Sequence, residues 1–385
     1  MRRLLLIALL IAGMGHAAYV EHYVTTTGTD TWTNSTSSGT PCSLATAFAN
    51  CTAGERANIK TGAYSLGATT ITNAGDETAL SVYRGYDTAI GDLEGQGRNA
   101  DTTLDTTDFP VITLTGAITA KAFVVFESLS FTGSLTSSLI AASAVGVSVI
   151  SCDLLNSDTA SNQNVRCITF GNGLTLANSD AECSGGNHGY VVAGGYTARF
   201  LGNRFTTTSN YACILLQRGS VVNNAFIGGG SGANGMGIVW SATSQYGGCL
   251  TAGNTFYDLA TCITFPAFAW DVSPVVMNNH ATDSTKWIDN LYSGTASQTV
   301  IEINNRTRDI TTDPRTTLGD GVLIGEVDTD TGGESTDYVN AAAGNLRLIE
   351  GAPGESAGMT DYEDIGAFQR EPSAGGGTTI IVVED

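Results

Sequence analysis

A short polar residue returns about every 25 residues through the middle of the chain, each time closing a short apolar run. Asp153, Asn178, Asn203, Asn224, Asn254, Asn279 and Asn305 end the stretches VISCD, LTLAN, RFLGN, SVVNN, LTAGN, VVMNN and IEINN. A repeat of this size is a unit that buries its apolar face only by stacking on its neighbours. Asn suits the corner of such a unit, because it tolerates the left-handed backbone of a tight turn and bonds an identical residue one rung away. With Asn as the turn, a rung divides into three short strands: RCITF, LTLA and DAECS in one, YVVAG, ARFLG and RFTTT in the next. Later rungs begin CILLQ, GIVWS, TCITF and WIDNL. Strands this short, rich in Val, Ile, Thr and Phe and separated by Gly and Ser, argue against helices. The pattern predicts an all-β, single-domain, right-handed parallel β-helix. A sandwich, the rival, would show no single register for its Asn turns.

The ends have characters of their own. MRRLLLIALLIAGMGHAA has a basic start, an apolar stretch and a small-residue end, the pattern of a secretory signal peptide cut after Ala17 or Ala18 and too short to span a membrane. The expectation is a secreted, periplasmic or cell-surface protein that does not span the membrane. Five segments follow: the signal peptide (1–17), an N-terminal cap module (18–66), the β-helix (67–310), C-terminal rungs and cap (311–372) and a Gly-rich tail ending in a short strand (373–385). The tail sequence IIVV could fold back on the helix or be donated to a second copy in self-association.

The formal net charge is −20, and −22 once Arg2 and Arg3 leave with the leader. Such a surface excludes nucleic acid as a partner, since that recognition rests on basic contacts. It also repels polyanionic glycans unless a cation bridges the two. All eight cysteines lie beyond the leader, an even count suited to disulfides in an oxidising compartment. Cys42 and Cys51 flank the helical pattern SLATAFAN and could close a local loop. Cys167, Cys213 and Cys262 take one position in alternate rungs, roughly 9.6 Å apart at the usual strand spacing. That is too far for bonds among those three, so they read as stacked buried thiols.

The stretch from His22 to Leu66 resembles the opening module of secreted pectate-lyase-like β-helix proteins, in which a strand, a Gly-Asp turn, a Gly-Thr-x-Pro loop and a capping helix lead to the first rung. Tyr23, Val24, Gly28, Asp30, Gly39, Thr40, Pro41, Gly54, Gly62 and Tyr64 carry that likeness. Gly351, Pro353, Gly358, Asp364, Gly366 and Phe368 resemble the closing segment of bacterial members. Both ends then serve as caps over strand edges that would otherwise invite aggregation. The resemblance implies fold more than activity, because one superfamily holds lyases, hydrolases, epimerases, tailspikes and adhesins.

In that superfamily, lyases use Asp-held calcium and an Arg or Lys base on the outer face of one sheet, and glycosidases use two carboxylates. The paired-Asp, Gly-His-Gly and Arg-Ile-Lys pattern of polygalacturonases is absent, although Gly186-Asn187-His188-Gly189 echoes one part. The Arg-x-Pro-x-x-Arg pattern of pectate lyases is absent too, while Trp287-Ile288-Asp289-Asn290 resembles their Trp-Ile-Asp-His segment. Aligning rungs on Ile168, Ile214, Ile238, Ile263 and Ile288 gathers Trp240, Trp270, Trp287, Tyr190 and His188 near one sheet as a sugar-stacking ridge. Arg218 or Lys286 is the candidate base, with Asp271 or Asp289 holding a cation. Asp328, Asp330 and Glu334 alternate in a segment loosely like a calcium loop, and calcium is the one cofactor considered. The expectation is an extracellular polysaccharide as partner, bound and cleaved by a lyase or glycosidase. The alternative is a non-catalytic adhesin or structural module. A one-residue slip in strand register would turn Trp240 into the core.

Overall fold

The computed structural model describes residues 19–311 apart from 96, 100–102, 160–163, 185–189, 208–211, 229–234, 242–247, 266–273, 291–299, 304 and 309. Beyond these it describes the backbone of strands Val327–Asp330, Tyr338–Asn340 and Asn345–Leu348. The chain winds through three parallel sheets, A, B and C, in that order on every turn, and so forms a right-handed parallel β-helix. Sheets A and B hold eleven strands each and sheet C nine among the described residues. Val20–Val24 and Glu55–Lys60 head sheet A, so the N-terminal module is continuous with the stack.

Between these two strands lies helix α1 (Leu44–Asn50). Ser43 caps it by accepting from Thr46 N at 3.1 Å, satisfying one of the donors a helix start leaves orphaned. The helix buries Leu44, Ala47 and Phe48. Phe48 packs edge-on against Tyr83, with ring centres 4.8 Å apart, and against Phe126.

The corner between sheets A and B divides its labour between two residues. The first takes the left-handed conformation: Ser128, Ser151, Asn178, Gly202, Asn223, Gly253 and Asn278 all have φ between +47° and +66°. The second turns its side chain inward and builds the ladder. Asn224 Oδ1 accepts from Asn203 N and Nδ2, both at 2.9 Å. Asn254, Asn279 and Asn305 repeat the pattern, each accepting from the Asn one rung before. Each Asn amide also donates to a carbonyl of sheet A, as Asn254 Nδ2 does to Val221 O at 2.9 Å. The sequence reading assigned both roles to one residue and placed Asp153 and Asn178 in the ladder. Their true ladder neighbours are Cys152 and Ser179. The Ser179 hydroxyl accepts from Cys152 N, and Ser179 N donates to Asn203 Oδ1.

Inside the stack, sheet B lines up Phe205, Phe226 and Phe256 in register. Their rings stack 5.3 and 4.9 Å apart. Sheet C contributes the column Ile140, Ile168, Val192, Ile214, Ile238, Ile263 and Ile288, as the rung alignment predicts. One position earlier, Cys167, Cys213 and Cys262 are buried in alternate rungs. The structure joins none of the eight buried cysteines by a disulfide, the expected Cys42–Cys51 pair included. Tail residues 373–385 and the expected C-terminal cap motif at Asp364–Phe368 lie outside the described residues.

Replacing Asn254 by Ala removes the acceptor for Asn224 N and Nδ2 and the donor to Val221 O, all deep inside. The expected loss is about 3 kcal/mol or more, read as a lowered denaturant midpoint. Asn34→Ala, in an exposed turn, is expected to leave the midpoint within about 0.5 kcal/mol of the parent.

Candidate functional site

The register that confirms the Ile column also settles the tryptophans. Trp240 lies two residues beyond Ile238 and so shares its inward face; it is fully buried, and its indole N–H has no partner among the described residues. Trp287 is 3 % exposed, packs edge-on against Phe256 at 5.6 Å and donates to Glu302 Oε1 at 3.0 Å. Neither ring faces solvent, so the expected sugar-stacking ridge cannot use them. Both faces of these strands are largely apolar, and sequence alone gave no way to choose between them. Trp270, Asp271, His188 and Glu334 lie outside the described residues.

The other predicted residues are scattered. Tyr190 is half-buried at the start of its sheet C strand, 5.8 Å from the Arg166 guanidinium. Lys286 and Asp289 meet in sheet C as an ion pair, Nζ to Oδ2 3.0 Å, both partly exposed. Arg218 belongs instead to sheet A, where its Nε donates to Thr197 Oγ1 at 3.0 Å, so it does not join the Lys286–Asp289 pair. Asp328 and Asp330 are not in a loop: strand Val327–Asp330 pairs them with Arg306 and Arg308. Among the described residues no three His, Cys, Asp or Glu side chains are grouped to hold a metal ion.

A different face carries the densest polar chemistry. On the outside of sheet B, the position after the A–B corner reads Ser130, Asp153, Asp180 and Arg204 in four successive rungs. Two residues along, Glu182 shares that face. Strands stack roughly 4.8 Å apart, so these carboxylates crowd one another. A long connection from Tyr86 to Val111 folds over them. Leu93, Leu104 and Phe109 give it a small core of its own, and the Ser128 hydroxyl ties it down by donating to Leu93 O. Arg98, from this connection, meets Asp180 Oδ1 at 2.5 Å and donates to Gly202 O at 3.0 Å. Leu104 N donates to Asp180 Oδ2 at 2.9 Å.

The result is a cleft of about 330 Å³, floored by Asp153, Glu182, Arg204 and Thr206 and walled by Asn99, Thr103, Thr106 and Thr107 of the connection. Its two outer carboxyls hold protons unusually well. Burial under the connection lifts the Asp153 carboxyl to about 6; Asp180 and Glu182 add to the rise, while the Ser130 hydroxyl and Arg204 oppose it. Glu182 is raised too, by burial first and then by Asp180, against the pull of Arg204. Sequence spacing hides this set, because Asp153 sits beside a turn position and DAECS has the pattern of a plain strand. The available signal was acidic residues at one offset from the corner in consecutive rungs.

No protein-family model matches the chain, and no curated protein sequence matches it. Solved structures do. Pectate lyase Pel9A superimposes over 93% of this chain and 98% of its own, at 17% identity and a TM-score of 0.53. An arginine-to-alanine variant of the PL6 family alginate lyase AlyGC covers 83% of this chain and 56% of its own, at 13% identity and a TM-score of 0.40. The PL6 family polysaccharide lyase Pedsa3628 from Pseudopedobacter saltans covers 83% and 96%, at 11% identity and a TM-score of 0.38. The first likeness establishes the fold as a pectate-lyase-like parallel β-helix.

The raised Asp153 carboxyl has a stability consequence. The folded protein holds this proton up to about pH 6, whereas the unfolded chain gives it up near pH 3.9. Its contribution is therefore present below that lower value and lost as pH rises through 6. Asp153→Asn removes the cost of burying the charge. The variant is expected to exceed the parent by about 2 kcal/mol at pH 7.5 and to match it at pH 4, by denaturant unfolding.

Proposed function

We propose that this chain binds and cleaves an extracellular polysaccharide in the sheet B cleft by carboxylate acid–base chemistry. The observation that carries the proposal is the pairing of Asp153, lifted to about 6, with Glu182 on one covered face. Of two carboxyls, the one more strongly pushed toward its neutral form is suited to give a proton to the leaving glycosidic oxygen. Glu182, steadied by Arg204, serves as the base that activates water. They sit diagonally across adjacent strands, a separation of roughly 7–8 Å. That leaves room for a water between them, the spacing of inverting hydrolysis rather than of direct attack. Asp180 is committed to Arg98 and Leu104 N and acts as a positioning residue for the wall.

An uncharged glycan fits this cleft better than a polyuronate, because Asp153 and Glu182 face one arginine and the chain carries −20 overall. The extracellular setting in this proposal rests on the leader expected from the sequence of residues 1–17. Among the described residues no helix is long and apolar enough to cross a membrane. Calcium and self-association through the terminal strand stay secondary elements of the proposal, and no step is routed through either.

The Lys286–Asp289 pair favours a second reading, in which a lyase works on the outer face of sheet C. The fold likeness to a pectate lyase supports it. Products separate the two: hydrolysis yields new reducing ends alone, whereas a lyase yields unsaturated ends as well. Asp153→Asn and Glu182→Gln are each expected to lower kcat/KM by on the order of 10²-fold or more, while Lys286→Ala leaves it within about threefold. The opposite ranking with unsaturated products would move the site to sheet C. Binding without any product across plant, algal and bacterial glycans would establish the adhesin alternative.

A further inference from the structure

Strand Asp180–Cys183 presents Asp180 and Glu182 to the cleft and turns Ala181 and Cys183 into the core. Cys183 there meets Cys167, which belongs to the sheet C strand Arg166–Phe170 of the preceding turn. Their sulfurs stand 3.8 Å apart, and both side chains are fully buried. Cys167 Sγ also lies 3.1 Å from Glu182 O and 3.4 Å from Leu154 O, so it is held between two rungs of sheet B. A disulfide needs sulfurs about 2.05 Å apart, within reach of a small change at each side chain. The two residues are separated by one full circuit, through sheet A at Leu174–Ala177 and around the Asn178 corner.

We propose that Cys167 and Cys183 are a disulfide site, and that the bond closes one turn of the β-helix into a covalent ring behind the Asp180–Glu182 strand. The oxidant is the disulfide of a thiol–disulfide oxidoreductase. The Cys183 thiolate attacks that disulfide and releases one oxidant thiolate. The Cys167 thiolate then attacks the Cys183 sulfur and releases the second. One S–S bond forms in this chain and one breaks in the oxidant; two protons leave, and two electrons reduce the oxidant to its dithiol. Burial and the neighbouring Cys183 sulfur push the Cys167 thiol well above its usual range, so the exchange belongs to the folding chain, before the turn closes over the sulfurs. Cys213 is a competitor, since Cys183 also contributes to raising its thiol, but it lies one rung further along.

The test is a thiol count on the full chain produced in cells whose cytoplasm is oxidising and carries a disulfide oxidase. After alkylation in denaturant without reductant, six cysteines are expected to be modified. The tryptic peptide Cys167–Arg199 is expected unmodified and two hydrogens lighter than its reduced form. The oxidised protein is expected to melt roughly 5 °C above the same protein prepared reduced, a difference that vanishes in Cys183→Ser. Eight alkylated cysteines would overturn the proposal. So would a bond joining the peptides Cys167–Arg199 and Phe205–Arg218, which pairs Cys213 instead. Because the count needs no substrate, it stands apart from the activity assays.

Discussion

The buried asparagine at the A–B corner is the constraint on which the rest of the molecule depends. A parallel stack has no hairpins to set its register, and its side-chain period of two makes a one-residue slip exchange core for solvent. Here each ladder Asn ties three places together: the preceding rung through its amide oxygen, the next rung through its main-chain and amide N–H groups, and a carbonyl of sheet A. A slip would leave these groups unpaired in the interior, which costs far more than the bonds return when made. The left-handed residue before it makes the turn tight enough for the amide to reach inward. Asn and Gly fill most of those positions because their backbones tolerate that conformation.

With one corner fixed, variation moves elsewhere. From Asn178 to Met277 the A–B connection stays at two residues, while the connections flanking sheet C run from Thr207 to Ala212, Ile227 to Met236 and Phe265 to Val275. The outer face of sheet C is correspondingly plain, with Thr169, Ala193, Leu215, Val239 and Thr264 in one column, each next to a residue of the inward Ile column. The tight corner beside sheet B has the opposite effect. It leaves the outer face of that sheet open to a single long visitor, and the connection from Tyr86 to Val111 takes the place.

Architecture was legible because it rests on periodicity. The Ile column and the alternate-rung cysteines depend on sequence spacing alone and appear where the spacing puts them, and so does the Asn ladder from Asn203 to Asn305. The sites were illegible for a physical reason. Whether Trp240 and Trp287 face out or in turns on a single residue of register, and these strands are apolar on both sides, so hydropathy could not decide. The cleft was hidden differently. Arg98 and Asp180 are 82 residues apart, and nothing local in either stretch announces that a connection leaving the second rung will cross the stack to reach the other. Asp328 and Asp330 misled through resemblance: alternating acids fit a calcium loop and a strand equally well, and the backbone chose the strand.

The cleft is also where the fold departs from its own economy. Like charges in register on neighbouring strands oppose pairing, and elsewhere the stack avoids them by filling these positions with Ser130, Ala225 and Thr255. Asp180 is compensated by a guanidinium and a backbone N–H, and Glu182 by Arg204 one rung on. Among the described residues, Asp153 has the Ser130 hydroxyl at 3.1 Å and a distant pull from Arg204. Lifting the connection would hydrate all three, so the largest cause of the raised value, burial, comes with the cover, and Asp180 and Glu182 add the rest. A carboxyl kept half-protonated at about pH 6 under a segment that spans several rungs does little for stability. Its cost is most simply understood as the condition for handing a proton to something in the cleft.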